Sequence, residues 1–320
     1  MGNQPLASTV HVDAALTTYS LAYVQSQSDF IANRVFPAVP VQNQTGKYFT
    51  YTKNDWFRDE AQKRAPATES AGSGYNMSTD SYSCDVYAIH KDVPDQVAQN
   101  ADAAISVEAD AARFVMQRML LKHEIEWAAT FFTTSIWTTD VTGGTNFTQW
   151  DNYASSKPLV DVQTGKTTIL GRTGFEPNTL VLGYQTWAQL INHPDFVDRI
   201  KFTAPDAVNQ ATVARLLGVD NIFIMRAIKA TNVEGETAAY SFVAGKAALL
   251  CYVAPSAGLL TPTAGMTFTW NGVSDGMNGA VGTVRIPIPE KRAVRVESQM
   301  AWDSKVVAAD LGYFFASAVS

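Results

Sequence analysis

The chain has 320 residues, 46% of them hydrophobic, enough to enclose a substantial core and too apolar for a disordered chain. Its 24 lysines and arginines are outweighed by 30 aspartates and glutamates, for a formal charge of −6. No basic block interrupts the balance, which argues against direct reading of nucleic acid. Two cysteines, Cys84 and Cys251, stand far apart with no second thiol near either. That points away from a disulfide framework or a thiolate zinc site and towards two small buried hydrophobes.

In chain order, Met1-Gly2-Asn3-Gln4-Pro5-Leu6 carries no basic-then-apolar signal region, and Leu6 stands where a myristoylation pattern needs Ser or Thr. No uncharged apolar run reaches the ~18 residues of a membrane span. A protein kept in a reducing cytoplasm without a membrane partner is the expectation, and the sequons Asn43-Gln44-Thr45 and Asn146-Phe147-Thr148 are then chance matches. Residues 1–45 alternate apolar clusters (Leu21 to Val24, Phe30 to Val41) with polar ones, and Pro37 and Pro40 bracket extended chain. This reads as an arm.

Lys47 to Lys53 has strand composition, and Tyr82 to Val93 alternates, with Cys84, Val86 and Ala88 on one face and Tyr87 and Ile89 on the other. The polar stretch between them holds Arg58-Asp59-Glu60, Lys63-Arg64, Pro66 and Gly72-Ser73-Gly74. A two-stranded projection over residues 46–93 with a charged tip is predicted. An isolated hairpin is marginal in water, so something outside the subunit is expected to order it.

Between Pro94 and Gly143 there is neither Gly nor Pro, and good helix formers dominate. The spacing predicts one helix from Gln96 to Phe132, a rod on the order of 50 Å long. Its apolar stripe is expected at Ala104, Val107, Ala111, Phe114, Leu121, Ile125, Ala128 and Phe132, broken by Arg118, with Lys122 and Glu126 able to pair. The run Thr133-Thr134-Ser135-Ile136 weakens the helix beyond.

A polar, Gly-rich connection is predicted from Thr142 to Gly174. After it, strands are expected at Thr179 to Leu182, Asn221 to Met225, Tyr240 to Tyr252, Met266 to Trp270, Thr283 to Ile288 and Ala293 to Met300, followed by an apolar tail ending near Phe315. Helices are expected at Gln185 to Asn192 and Thr212 to Leu217, the latter stopped by Gly218. The class is α+β, with one helix far longer than the rest.

The catalytic motifs each fail at a named residue. Gly165-Lys166-Thr167 resembles a phosphate-cradling loop, but position 160 is Val160 where the first glycine is needed. His123-Glu124 lacks a second histidine at position 127, which is Trp127, and Gly72-Ser73-Gly74 lacks glycine at position 77, which is Met77. Asp92 and Asp95 suit helix capping. Aromatics beside charges, Trp56-Phe57-Arg58 and Trp150-Asp151, read as interface anchors. No cofactor, no metal and no enzymatic activity are expected.

The order of arm, charged-tip hairpin, spine helix, mixed region and final strand resembles the major capsid proteins of tailed bacteriophages, whose fold is shared with encapsulins and the herpesvirus capsid floor. Local segments carry the resemblance: Phe30-Ile31-Ala32-Asn33-Arg34-Val35-Phe36-Pro37-Ala38-Val39-Pro40-Val41; Arg64-Ala65-Pro66-Ala67-Thr68-Glu69, with Ala67 where glycine is expected; Glu176-Pro177-Asn178-Thr179-Leu180-Val181-Leu182-Gly183; Asn192-His193-Pro194-Asp195; Asp198-Arg199-Ile200-Lys201; and Leu216-Leu217-Gly218-Val219-Asp220.

The resemblance implies an arm (1–45), an extended hairpin loop (46–93), a peripheral domain with the spine helix (94–174), an axial domain (175–285) and a return strand with a C-terminal peripheral segment (286–320). It implies self-assembly into hexamers and pentamers of an icosahedral virion shell around double-stranded DNA, without sequence-specific binding and without a membrane. Assembly is expected in the host cytoplasm. Arg58, Asp59, Glu60, Lys63, Arg64 and Glu69 at the hairpin tip, and Phe30, Arg34 and Phe36 in the arm, are then the expected inter-subunit contacts. A separate scaffolding protein and a portal are implied partners, and a decoration protein is an allowed one. An encapsulin-like shell around protein cargo is the alternative on the same fold, and a soluble hydrolase the alternative of another class.

Overall fold

The computed structural model describes residues 25–51, 53–101, 106–200, 209–256, 258, 261–272 and 282–320. The apolar cluster Leu21 to Val24, Ala104 and Lys201 lie outside them. A capped turn at Gln27–Asp29 leads into α1 (Ala32–Val35), β1 (Ala38–Val41), β2 (Thr45–Tyr51), α2 (Lys53–Trp56), β3 (Met77–Ser83), β4 (Asp85–Pro94), α3 (Asp95–Asn100) and α4 (Val107–Phe131). Then come β5 (Thr139–Thr142), α5 (Pro158–Thr173), β6 (Thr179–Gly183), α6 (Tyr184–Leu190), α7 (Pro194–Ile200), α8 (Gln210–Leu217) and β7 (Asn221–Met225). The chain closes with β8 (Ile228–Ala230), β9 (Tyr240–Phe242), β10 (Ala248–Cys251), β11 (Gly265–Trp270), β12 (Gly282–Ile288), β13 (Ala293–Val306) and β14 (Gly312–Ala316).

One sheet runs β1-β11-β13-β12, and β4 pairs with the free side of β13. The second sheet runs β5-β14-β10-β6-β7. β2 and β3 form a separate ribbon, as do β8 and β9. Helix α4 lies on the first sheet, where Ala111 and Val115 pack with Val93 and Val296, and Met119 packs with Met300 and Trp302. Its last turns reach the main core, where Trp127 and Phe131 join the side chains of the second sheet and its helices.

Several expectations are corrected. The predicted rod is broken: α3 ends at Asn100, and α4 starts afresh behind Ser106, whose hydroxyl accepts from the Ala109 N–H at 3.4 Å. An N-cap serine offers the backbone an alternative partner, and the remaining 25 residues give a rod of about 37 Å. Of the predicted stripe Ala111, Ala128 and Phe132 are buried, but the buried line runs through Ala111, Val115, Met119, His123, Trp127 and Phe131, and Phe114 is exposed beneath the Lys91 and Arg118 cations, 5.4 and 4.9 Å from its ring.

The segment Tyr82 to Val93 is not the return strand of the projection. Residues Asp85–Pro94 pair with β13, and the ribbon partner of β2 is β3. Composition signals a strand but not its neighbour. The segment 142–174 contains α5, with Pro158 in its first turn and Gly174 as a left-handed stop at φ +76°. Gly165 and Gly171 disguise it. Gly165 is there because a Cβ would come 3.1 Å from Leu250 and 3.4 Å from Tyr313. The span 240–252 is two strands, and the apolar tail is β14, an interior strand of the second sheet between β5 and β10. The sheets interleave in sequence, since β11 and β12 join the first and β5 and β14 the second. β6, α8, β7, β11 and β12 stand within one or two residues of their predicted limits.

Candidate inter-subunit surface

The β2–β3 ribbon has two unlike faces. Alternation places Tyr48 and Tyr82 on its inner face, where both rings lie against Phe268, at centroid distances of 5.3 and 4.6 Å. Burial and the Asp80 carboxylate, 2.9 Å from its hydroxyl, raise the Tyr48 phenol above its ordinary range. Asp80 is lowered by the Ser81 N–H and the Tyr48 hydroxyl. At the base Asp303 accepts from the Ser83 N–H at 2.8 Å, and the Cys84 N–H donates to Gln44 O at 2.9 Å. Cys84 and Cys251 are buried as expected, and burial pushes the Cys84 thiol up to about 11.

Beyond Tyr51 the chain touches its own subunit through Lys53 and through Phe57, whose ring would lie 3.6 Å from a Cβ on Gly174. Lys53 Nζ lies 2.5 Å from Asp310, which also faces Arg172 at 3.9 Å. Partial burial opposes ionisation of Asp310, but hydrogen bonds from Lys53 and Thr138 outweigh it and its pKa falls. From Phe57 to Asn76 there is neither helix nor strand.

In this stretch Arg58, Asp59, Lys63, Arg64 and Glu69 are exposed and Glu60 is half-buried. Their partners are local. Arg58 meets Glu60 at 3.6 Å, Ser73 Oγ donates to Glu60, and Arg64 Nε donates to Thr68 O. Ala67 sits in the tip turn at φ +63°, in the left-handed region that favours glycine.

The three arm residues are placed differently from one another. Phe30 and Phe36 are buried in this subunit, Phe36 with its ring 4.6 Å from Phe131 and 5.8 Å from Trp127. Arg34 is exposed, its guanidinium 5.7 Å from the Phe223 ring. The segment is held by Glu124 of α4, whose Oε2 accepts from the Ile31 and Ala32 N–H groups at 2.9 and 2.8 Å. The Gln25 side chain donates to Ile228 O at 2.9 Å and accepts from Ile228 N at 3.1 Å. The sequence could not separate these roles, because an aromatic cluster reads alike whether it faces inward or outward.

The residues that mimicked catalytic motifs have structural partners. Lys166, inside α5, donates to Leu217 O and Gly218 O at 3.3 and 2.7 Å, satisfying the C-terminal carbonyls of α8, and pairs with Glu176 at 2.7 Å. His193 Nδ1 accepts from the Asp195 N–H at 3.1 Å at the start of α7, and its Nε2 lies 2.8 Å from Ser156 Oγ. His123 is buried edge-on against Trp302, and burial lowers its pKa to about 4. Of the two anchor candidates, Trp150 is in the core, its Nε1 donating to Asp161 at 2.9 Å, and Trp56 is exposed. Phe49, Phe57, Tyr75 and Met77 are exposed near it. Alternation along β2 and β3 was the signal that could have grouped them, once the register was known. Among the described residues no group of three or more His, Cys, Asp or Glu side chains could hold a metal ion.

No protein-family model matches the chain. It is 25% identical to the major capsid protein of Burkholderia phage BcepMu over 221 residues, 68% of this chain and 70% of that protein. With the major capsid protein of Pseudomonas phage JBD67 it shares 25% identity over 326 residues, the whole of both chains. A crystal structure of a phage-related protein from Bordetella bronchiseptica superposes with a TM-score of 0.67 at 25% identity, covering 96% of this chain and 97% of that one. The capsid of cyanophage P-SCSP1u gives 0.62 at 11% identity over 94% and 91% of the two chains. An encapsulin of Synechococcus elongatus gives 0.57 at 13% over 96% of each. The chain is accordingly a homologue of phage major capsid proteins, a structural protein rather than an enzyme, on the fold that phage capsids and encapsulins share.

Proposed function

We propose that this chain builds an icosahedral shell of hexamers and pentamers around the double-stranded DNA of a tailed phage, and that the projection from Lys47 to Ser83 carries contacts between subunits. The observation that supports this best is the stretch from Phe57 to Asn76, which lacks helix and strand and whose charged side chains find only local partners among the described residues. Arg58, Asp59, Glu60, Lys63, Arg64 and Glu69 would pair across the interface, and Arg34 would contribute from the arm. Each exposed ion pair is worth ~0 to 1 kcal/mol, so cohesion comes from many contacts per subunit acting together. On this reading the first sheet with α4 is the peripheral part and the second sheet with its helices the axial part. A scaffolding protein and a portal take part in assembly in the host cytoplasm, the outer surface leaves room for a decoration protein, and DNA is enclosed without sequence-specific contact.

Shortening the projection between Asp55 and Thr79 tests the reading. The expected result is a folded subunit that forms no closed shells by sedimentation and negative-stain microscopy. Normal particles would refute the role of the projection. The likeness to an encapsulin favours one second reading, a shell around protein cargo. DNA-filled, tail-bearing particles support the phage reading, and tail-less shells packed with an enzyme support the other.

A further inference from the structure

The outer face of the β2–β3 ribbon carries a feature that the charged tip does not explain. Tyr51 stands opposite Met77 and Phe49 opposite Thr79, so Phe49, Tyr51 and Met77 share the face turned away from Phe268. Trp56 and Tyr75 extend it. Ring centroids are 6.3 Å apart for Tyr51 and Trp56, 6.1 Å for Tyr51 and Tyr75, and 5.7 Å for Trp56 and Tyr75. Yet Phe49 is 54% exposed, Trp56 54%, Tyr75 63% and Met77 55%. Scattered exposed apolar residues are ordinary, but a contiguous aromatic patch on a ribbon that no other described residues cover marks a surface that is covered in use.

We infer that this aromatic face is the anchor by which the projection docks onto a second copy of the same chain, and that Trp56 and Tyr75, rather than the charged tip, supply most of its binding strength. The inference rests on the shell reading above and deepens it. Large rings bury much area at the cost of two side-chain torsions each, whereas the charged tip side chains are long and solvated. Charge favours the same occupant: residues 47–75 hold five cations and four anions, a net +1, while the remainder of the −6 chain carries −7. The projection of one copy therefore meets an oppositely charged body in the next, and the patch is where water is excluded.

The test compares the full-length wild type, Trp56→Ala/Tyr75→Ala, Arg58→Ala/Arg64→Ala, Trp56→Ala and Trp56→Phe with the chain shortened between Asp55 and Thr79. The readout is the subunit concentration at half-assembly, by sedimentation, with the melting temperature of the unassembled subunit as the check on folding. The aromatic double variant is expected to need about ten-fold more subunit or worse at unchanged melting temperature, and the tip variant to shift less. Trp56→Phe is expected to restore most of the loss seen for Trp56→Ala. If the shortened chain fails to assemble but the aromatic double variant assembles like the wild type, the interface reading survives and the anchor is overturned. If the shortened chain also assembles normally, both fall. An aromatic variant that assembles normally yet loses another protein from purified particles would overturn the self-docking claim in favour of that partner.

Discussion

Glu124 and its neighbour His123 titrate in opposite senses inside α4. Burial raises Glu124 to about 7 from 4.5, its two backbone hydrogen bonds only partly opposing this, and lowers His123 to about 4 from 6.5. The folded chain thus holds the Glu124 proton more tightly than the unfolded chain, so that stability is complete below pH 4.5 and is lost as pH rises from 4.5 to 7. His123 contributes stability that is complete above pH 6.5 and is lost as pH falls from 6.5 to 4. Each limit is worth on the order of 3 kcal/mol, and the two offset one another across the mildly acidic range. Replacing Glu124 by Gln leaves the His123 dependence alone, so the melting temperature of Glu124→Gln should climb from pH 4 to 6.5 more steeply than the wild type. His123→Leu should show the reverse, a fall from pH 4.5 to 7. Parallel profiles for all three chains would remove both groups from the balance. Sequence marked His123-Glu124 as a failed metal motif, and nothing in it showed that the carboxylate holds Ile31 and Ala32, 93 and 92 residues away.

At the scale of elements, two junctions depend on one residue each. Lys166 reaches out of α5 to the last carbonyls of α8. Lys166→Met keeps the stem but leaves those carbonyls unpaired in a buried place, and should cost about 2 to 3 kcal/mol by denaturant melting. Gly312 opens β14 where a Cβ would fall 2.0 Å from the Trp137 ring. Gly312→Ala forces that ring out of the core, and a loss of roughly 2 kcal/mol or more in chemical denaturation is expected, with Trp137 fluorescence shifted to the red. Short strands and helices bounded by their own stop signals, such as α8 with Gly218 behind it, could be read from sequence. α5 could not, because its internal glycine serves a contact with residues far along the chain. The break before α4 was hidden because Ser106 reads as an ordinary polar residue until its cap is seen.

Across the whole molecule, the projection stands apart from the main core, which gathers residues from Ile31 to Val319 and none between Phe36 and Trp127. A chain shortened between Asp55 and Thr79 keeps the Lys53–Asp310 tie and loses chiefly the Phe57 ring beside Gly174, so its stability should stay within about 1 to 2 kcal/mol of the full chain. A much larger loss would mean that the projection is part of the fold and not an attachment to it. By itself the sequence determined the α+β class, a long central helix, a charged projection without a core and the failure of each catalytic motif, because these rest on local composition and spacing. The tertiary structure alone decided which strand pairs with the projection, how the two sheets interleave and which face of α4 is buried. It alone placed Phe30 and Phe36 inside the subunit and left Trp56 outside. Those outcomes turn on partners tens to hundreds of residues away, and an aromatic side chain carries no local mark of whether its neighbour will be protein or water.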